Sequence, residues 1–347
     1  MKYKGIKSLL CGLFSLMISS NALHATELLG AGATFPYPFY SKIFDEYHKK
    51  TGVKVNYQSI GSGGGQRQIQ NRTVDFGASD EFLNDEKISK MPGKILHLPT
   101  CLGSVAIAYN IPGNPVLNLS GDIIANIFMG KITKWNDPAI KALNPKVKLP
   151  EVQITVIRRS DGSGTTAVFS DYLSKVSLDW KNKVGSGNSL NWLVGLGGKG
   201  NEGVSGLIKQ VPGAIGYIET TYALQNKFPI AAVQNKAGVF VKPTVQSVSA
   251  AAMTKLPDDT RVSVTDTSVK TGYPISGFTW ILFYQDQSYN GRTKEQALEL
   301  VKLLSWVITD GQKFAEPLDY AKLPVEAQKK AKLILASLTF NGQVISK

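Results

Sequence analysis

The sequence predicts an α/β protein, and three observations carry that expectation. Short β-branched or apolar runs alternate with amphipathic segments along the chain, the order required when helices pack on a sheet. Three glycine-rich stretches each precede a helix-like segment: Gly30-Ala31-Gly32-Ala33-Thr34-Phe35-Pro36, Gly61-Ser62-Gly63-Gly64-Gly65-Gln66, and Arg158-Arg159-Ser160-Asp161-Gly162-Ser163-Gly164-Thr165-Thr166. Beyond the first 25 residues Cys101 is the only cysteine, so no intrachain disulfide is available and the fold rests on packing.

The expected strands cover 53–58, 104–110, 153–157, 214–218 and 278–284, where β-branched and apolar residues cluster. The expected helices cover 40–50, 66–73, 165–175, 294–309 and 325–338. In the fourth of these, Ala297, Leu300, Val301, Leu304 and Ile308 form one apolar stripe, with Gly311 as a stop; in the last, the stripe is Ala327, Ala331, Ile334 and Leu338. Such helices are core. No internal repeat or low-complexity tract interrupts the pattern.

Residues 1–25 read as a secretory signal: Lys2, Lys4 and Lys7 form a basic start, residues 9–19 a short apolar run, and Ala25 the last residue before cleavage. That run is too short to span a bilayer. Cys11 lies inside it and follows Leu10 rather than a small residue, so lipidation is not expected. What remains is long enough for two domains with cores. The net charge is +13, three units of it from the signal lysines. The other basic residues are scattered, with Lys49-Lys50 and Lys329-Lys330 the densest pairs and no aromatic-interleaved stripe. Nucleic acid is therefore not an expected partner; the charge is a general field that favours small anions.

The strongest chemical signal is the stretch from Arg158 to Thr166. Ile154-Thr155-Val156-Ile157 leads into it, and helix-like apolar spacing follows from Ala167 to Leu173, so the local order is strand, glycine turn, helix. First-turn amides lack internal partners and carry the positive end of the helix dipole. Glycines admit a ligand close to that backbone, Ser163, Thr165 and Thr166 add hydroxyls, and an arginine fork can hold two oxygens of one tetrahedral anion. The alternative is an ordinary capped helix start. In Val74-Asp75-Phe76-Gly77-Ala78-Ser79-Asp80, the Asp80 carboxylate either points into the same site or caps a helix beginning Glu81-Phe82-Leu83.

Other motifs are set aside. Gly195-Leu196-Gly197-Gly198-Lys199-Gly200 fits G-x-G-x-x-G, with Glu219 at a tempting distance for a ribose contact. However, Trp192-Leu193-Val194 is too short for the required strand, and Asn201-Glu202-Gly203 is expected to continue the loop. There is neither a P-loop nor a G-x-S-x-G elbow. His97 and Cys101 flank Pro99 without a third ligand, so they and His48 read as structural, and no metal or other cofactor is expected. Asp161 is a conceivable base for a serine nucleophile, but its expected role is to pair with Arg159 and hold the guanidinium.

Together these motifs closely resemble the periplasmic phosphate-binding proteins of Pst-type ABC transporters, the PstS family. The matching stretches are 30–36 (GAGATFP), 60–65, 74–80 (VDFGASD), 130–135 (GKITKW), 158–165 (RRSDGSGT), 195–201 and 212–217 (PGAIGY), in family order. The resemblance implies a type II periplasmic-binding-protein fold, with two α/β lobes, a two-stranded hinge and the ligand in the interlobe cleft. It places one lobe at 26–103 plus 275–347 and the other at 104–274, with crossings near 104–110 and 276–284. It implies phosphate ligands Thr34, Phe35, Ser62, Asp80, Arg159, Ser163, Gly164 and Thr165, with Asp161 in support. Phe35 is to give its backbone N–H and an apolar wall. Asp80 is to accept a hydrogen bond from protonated phosphate, which fully ionised sulfate cannot offer. The implied function is a monomeric, non-enzymatic periplasmic receptor that delivers phosphate to an inner-membrane permease. Rival readings are a receptor for another oxyanion such as sulfate, a secreted phosphomonoesterase, and a basic surface adhesin. Two departures stand out: Gly63 where relatives commonly carry serine, and Glu81-Phe82 where a small residue and proline are common, which adds a negative charge near the site. Residues 237–271 match poorly and receive no role.

Overall fold

The stretch from Ile95 to Asn110 forms one strand, buried along nearly all its length, that organises the molecule. Its first part pairs antiparallel with Ser276–Tyr284, from Ile95 opposite Tyr284 to Ser104 opposite Ser276. Its second part pairs antiparallel with Ala214–Glu219, from Val105 opposite Glu219 to Asn110 opposite Ala214. In the computed structural model, which describes residues 27–345, one eight-stranded sheet results. Its order is Lys54–Ser59, Glu27–Gly32, Phe76–Ser79, Ser276–Tyr284, Ile95–Asn110, Ala214–Glu219, Thr155–Arg159, Leu196–Gly198. The expected signal segment and its cleavage point lie outside the described residues.

The change of partner along Ile95–Asn110 divides the sheet into two α/β lobes joined by strands. The first lobe holds three parallel strands plus antiparallel Ser276–Tyr284. The second holds Thr155–Arg159 parallel to Ala214–Glu219 and to Leu196–Gly198. At the changeover the Val105 amide donates to the Ile275 carbonyl (2.8 Å), and the Tyr273 hydroxyl donates to the Val105 carbonyl (2.8 Å). The strand expected at 104–110 is thus only the second half of the real one. Pro99 conceals the first half, because proline rarely sits in a central strand except at a bulge. Here the pairing shifts between Thr279 and Trp280, opposite Cys101 and Pro99, leaving Thr100 as the extra residue.

The helices that open the glycine stretches begin earlier than expected. One runs Ser62–Gln70 rather than 66–73, so the glycines form its first turn instead of preceding it. The cause is tertiary: a methyl added to Gly65 would lie 2.6 Å from the Ala31 carbonyl oxygen, so this turn presses on the first strand's backbone. Tyr37–Thr51 begins at prolines, whose missing N–H costs nothing in a first turn. The late helices Lys294–Val307 and Val325–Ala336 bury their expected stripes, except that Ile334 is half-buried and Leu335 is buried in its place. The G-x-G-x-x-G stretch is not a continuing loop. Leu196–Gly198 is an edge strand inside the motif, and Gly200–Gln210 is a helix.

The poorly matching stretch 237–271 contains the helix Val245–Ala251 and then touches both lobes. Thr260 Oγ1 donates to the His97 carbonyl (2.9 Å), and Arg261 Nη1 to the Leu83 carbonyl (3.0 Å). Two residues on, Ser263 Oγ donates to Asp171 Oδ2 (2.6 Å) in the other lobe. Among the described residues no helix is long and apolar enough to cross a membrane.

Candidate functional site

Three chain segments meet between the lobes, each at the start of a helix. Thr34 and Phe35 lie in the turn between Glu27–Gly32 and Tyr37–Thr51, Ser62 opens the second helix, and Gly164 and Thr165 open Gly164–Val176, which Ser163 caps. Their closeness is measurable. A methyl on Gly164 would lie 2.4 Å from both Asp80 Oδ2 and Ser62 Oγ. Asn201 Nδ2 donates to Thr34 Oγ1 (2.8 Å) in one lobe and to Thr165 Oγ1 (3.2 Å) in the other. The expected site residues therefore come to one place, and all are buried except Asp161, which is partly exposed. The amides of Thr34, Phe35, Ser62, Gly164 and Thr165 find no carbonyl partner among the described residues, as first-turn donors do unless something outside the helix accepts from them.

Arg159 ends its strand with a fully directed guanidinium. Its Nε donates to Asp161 Oδ1 (2.8 Å), Nη2 to Asp161 Oδ2 (2.5 Å) and Nη1 to Thr165 Oγ1 (3.3 Å). The Gly200 amide, first of its helix, donates to Asp161 Oδ1 as well (3.0 Å). Burial pushes the Asp161 carboxyl up, but the bonds and charge of Arg159 and the Gly200 N–H more than offset it, and the group sits below the usual carboxylate range. Asp161 is thus a fixed anion that orients the arginine, as its spacing suggested. The same bond shows where the glycine-rich 195–200 segment is used: its helix start faces Asp161. Arg158 turns away, with its guanidinium 5.9 Å from the Trp192 ring centre.

The hydroxyls divide by how they are already engaged. Thr34 Oγ1 accepts two bonds from Asn201, Thr165 Oγ1 accepts from Arg159 and Asn201, and Ser163 Oγ accepts from the Thr166 amide. A hydroxyl loaded as an acceptor keeps its proton to donate, so all three remain donors. Ser163 therefore caps its helix, as the alternative reading expects, and still has a hydroxyl proton to donate. Ser62 differs, donating to Asp80 Oδ2 (3.3 Å) and accepting from the Asp80 amide (3.2 Å).

Asp80 caps no helix; the next one, Asp85–Ser89, is capped by Asn84. Its Oδ1 accepts from Thr279 Oγ1 (2.6 Å). Burial drives its pKa up to about 7, with partial relief from Thr279, the Arg159 charge and Ser62. At neutral pH this carboxyl stands at the edge of protonation. Phe35 corrects one expectation. Its ring packs over Gly103, where an added methyl would lie 2.4 Å from Cε1, and its carbonyl accepts from Tyr320 Oη (2.7 Å). The ring belongs to the core, and the backbone N–H is what it offers the site.

Both departures have structural accounts. The Gly63 amide donates to the Gly162 carbonyl (2.9 Å), and a Cβ there would lie 3.0 Å from Gly162 Cα; backbone meets backbone where a serine would intrude. Glu81 is not a loose charge, because Lys87 Nζ donates to its Oε2 at 2.6 Å and Asn188 Nδ2 at 2.7 Å. His97 accepts the Leu83 amide at Nε2 (3.0 Å) and burial lowers it to about 3, so it is a neutral structural group. Cys101 is free and buried. Among the described residues no three His, Cys, Asp or Glu side chains are placed to hold a metal. Glu219 caps Thr220–Gln225 from a buried position, and burial holds its carboxyl well above the usual range.

Sequence reading missed Thr279, Asn201 and Tyr217. Tyr217 Oη accepts the Arg159 amide (3.1 Å) and bonds Thr166 Oγ1 (2.7 Å), fixing the turn from beneath. Asn201 and Tyr217 each end a motif already singled out. Thr279 gave only one cue, a small hydroxyl side chain in the interior of a largely apolar strand. Chemically, the site offers a buried cation, converging N–H and O–H donors and one carboxyl able to take or hold a proton. That set suits a small oxyanion that carries a proton.

Residues 19–310 match the PBP superfamily domain. The phosphate-binding protein PstS of Haemophilus influenzae is 45% identical over 307 residues, covering 87% of this chain and 90% of that protein. Its counterpart from Pasteurella multocida is 43% identical over 325 residues, covering 92% and 93%. The solved structure of a high affinity periplasmic phosphate-binding protein (PfluDING) bound with phosphate superposes with a TM-score of 0.72, covering 91% of this chain and 97% of that one at 21% identity, and shares its fold. Similarity of this extent, running through both lobes and every segment that builds the site, makes the chain a member of the PBP superfamily and, within it, of the PstS family of phosphate-binding proteins.

Proposed function

We propose that this chain is a non-enzymatic receptor that closes its two lobes on inorganic phosphate and delivers it to the permease of an ABC-type import system. Thr34, Ser163 and Thr165 donate hydroxyls, the amides of Phe35, Ser62, Gly164 and Thr165 donate N–H groups, and Arg159, oriented by Asp161, supplies the positive charge. The lobes comprise 26–103 with 275–347, and 104–274, with the stretch around Thr260–Arg261 leaning on the first. Hinge motion about the two crossing strands opens and shuts the cleft. The receptor is monomeric, periplasmic after cleavage near Ala25, and not lipidated; its relatives' names support the ligand.

One observation carries the choice of phosphate: the buried Asp80 carboxyl, pushed up to about 7 by burial, stands against the helix start at Gly164 and within the field of Arg159. A protonated phosphate gives that acceptor a hydrogen bond. Above about pH 7, where the carboxyl is ionised, fully ionised sulfate offers it no such bond and sets like charge against it. Calorimetric titration of the mature protein with phosphate and then sulfate at about pH 8, above the Asp80 pKa, tests the reading. Phosphate is expected to bind and sulfate to give no heat; equal binding of both, or none of either, refutes it.

A further inference from the structure

We infer that Glu81 is a clasp that fastens the two lobes over the anion site, so that this extra carboxylate strengthens ligand binding instead of opposing it. The clasp presupposes the phosphate-receptor reading above. Glu81 follows Asp80 directly, and its backbone is held in place: its amide donates to Ser79 Oγ (3.1 Å), and Ser79 Oγ donates to its carbonyl (2.5 Å). From this rigid base Oε2 gathers three donors. Lys87 Nζ (2.6 Å) and Gln66 Nε2 (3.2 Å) come from its own lobe, while Asn188 Nδ2 (2.7 Å) comes from the other. The same Asn188 Nδ2 reaches Gln66 Oε1 (3.3 Å), and its carbonyl accepts the Ser163 amide (2.8 Å). A short chain of bonds therefore links Asp80, through Glu81 and Asn188, to Ser163, which caps the anion-facing helix of the opposite lobe. The bond from Asn188 to Glu81 exists only while the lobes are together, so its free energy adds to the closed state.

Charge alone predicts the opposite. A bare carboxylate beside Asp80 repels an incoming anion, and removing it tightens binding. Lys87, paired to the same oxygen, already neutralises that field, which leaves the interlobe hydrogen bond as the larger influence. The sign of one substitution separates the two accounts.

Phosphate affinity and dissociation rate are measured by calorimetry and stopped-flow for Glu81→Ala, Asn188→Ala and the double variant. A charge-assisted, partly exposed bond predicts about 5- to 20-fold weaker binding in each single variant, expressed as faster release with association little changed. The double variant should be no more than about twofold worse than the weaker single one, because the two side chains act as a pair. Glu81→Gln keeps an acceptor for Asn188 and should retain part of the affinity. Unchanged or tighter binding in Glu81→Ala, or losses that simply add, overturns the clasp. If the unaltered protein binds no phosphate, the receptor reading fails by itself. The clasp is then judged by the distance between spin labels on the two lobes in the phosphate-free protein. Widening in Glu81→Ala supports it, and an unchanged distance overturns it.

Discussion

Replacing Asp80 by asparagine isolates the group on which the choice of anion rests. The native carboxyl keeps its proton up to about pH 7, whereas an unfolded aspartate loses it near ~3.9. Between those values the folded protein binds the extra proton, so its stability falls as pH rises through the interval. At about 1.4 kcal/mol per pH unit, the full interval amounts to about 4 kcal/mol. His97 works in the other direction. Lowered to about 3 by burial, it excludes a proton that the unfolded chain takes up below about 6.5, so acid destabilises the fold through it. The two effects overlap and largely mask each other in the wild type. The informative quantity is therefore the difference in urea-unfolding free energy between wild type and Asp80→Asn, without phosphate, from about pH 4 to about pH 8. The variant should gain about 4 kcal/mol on the wild type across that range. Asparagine keeps an oxygen for the Thr279 hydroxyl and presents an N–H where the carboxylate stood. Above about pH 7, sulfate then meets a donor instead of an ionised carboxylate, and its affinity should rise by about 10- to 100-fold. A pH-independent stability difference refutes the buried-carboxyl account; sulfate still excluded by the variant refutes the selectivity role.

Three further outcomes follow from contacts already described. Arg159→Lys replaces a fork that spans both oxygens of Asp161 with a single ammonium, and phosphate affinity should drop by about 10- to 100-fold in calorimetry. Gly164→Ala places a methyl 2.4 Å from Asp80 Oδ2 and Ser62 Oγ; overpacking of about 1–3 kcal/mol should weaken phosphate binding. The same overpacking exceeds alanine's gain in helix propensity, so the melting temperature of the phosphate-free protein should fall too, and an unchanged or higher one contradicts this. The His97 ring, held neutral by burial, should show no protonation by NMR between about pH 7 and about pH 5, and a midpoint near 6.5 refutes the burial account.

The strand, glycine turn and helix around Arg159 were legible because their signals are local: β-branched residues, then glycine and hydroxyls, then helical spacing. So were the pairing of Arg159 with Asp161, two residues apart, and the stripe of the helix Lys294–Val307. The first half of the crossing strand was hidden by Pro99, whose place is a bulge that only its partner strand reveals. The glycines of 63–65 read as loop because glycine is a poor helix former, yet they start a helix whose packing on the Ala31 backbone leaves no space for a side chain at Gly65.

By itself, then, the amino-acid sequence placed the amides and hydroxyls of Ser163, Gly164 and Thr165 at a helix start and paired Arg159 with Asp161, while the family resemblance supplied the rest of the set. Tertiary structure alone decided how the two carboxylates beside them behave. Asp80 is buried against Thr279, which lies 199 residues away, and its proton affinity follows from that desolvation. Glu81 looked like a repulsive charge until Lys87 in its own lobe and Asn188 in the other were placed on one oxygen. Burial and pairing depend on neighbours brought together from distant parts of the chain, and no local pattern records them.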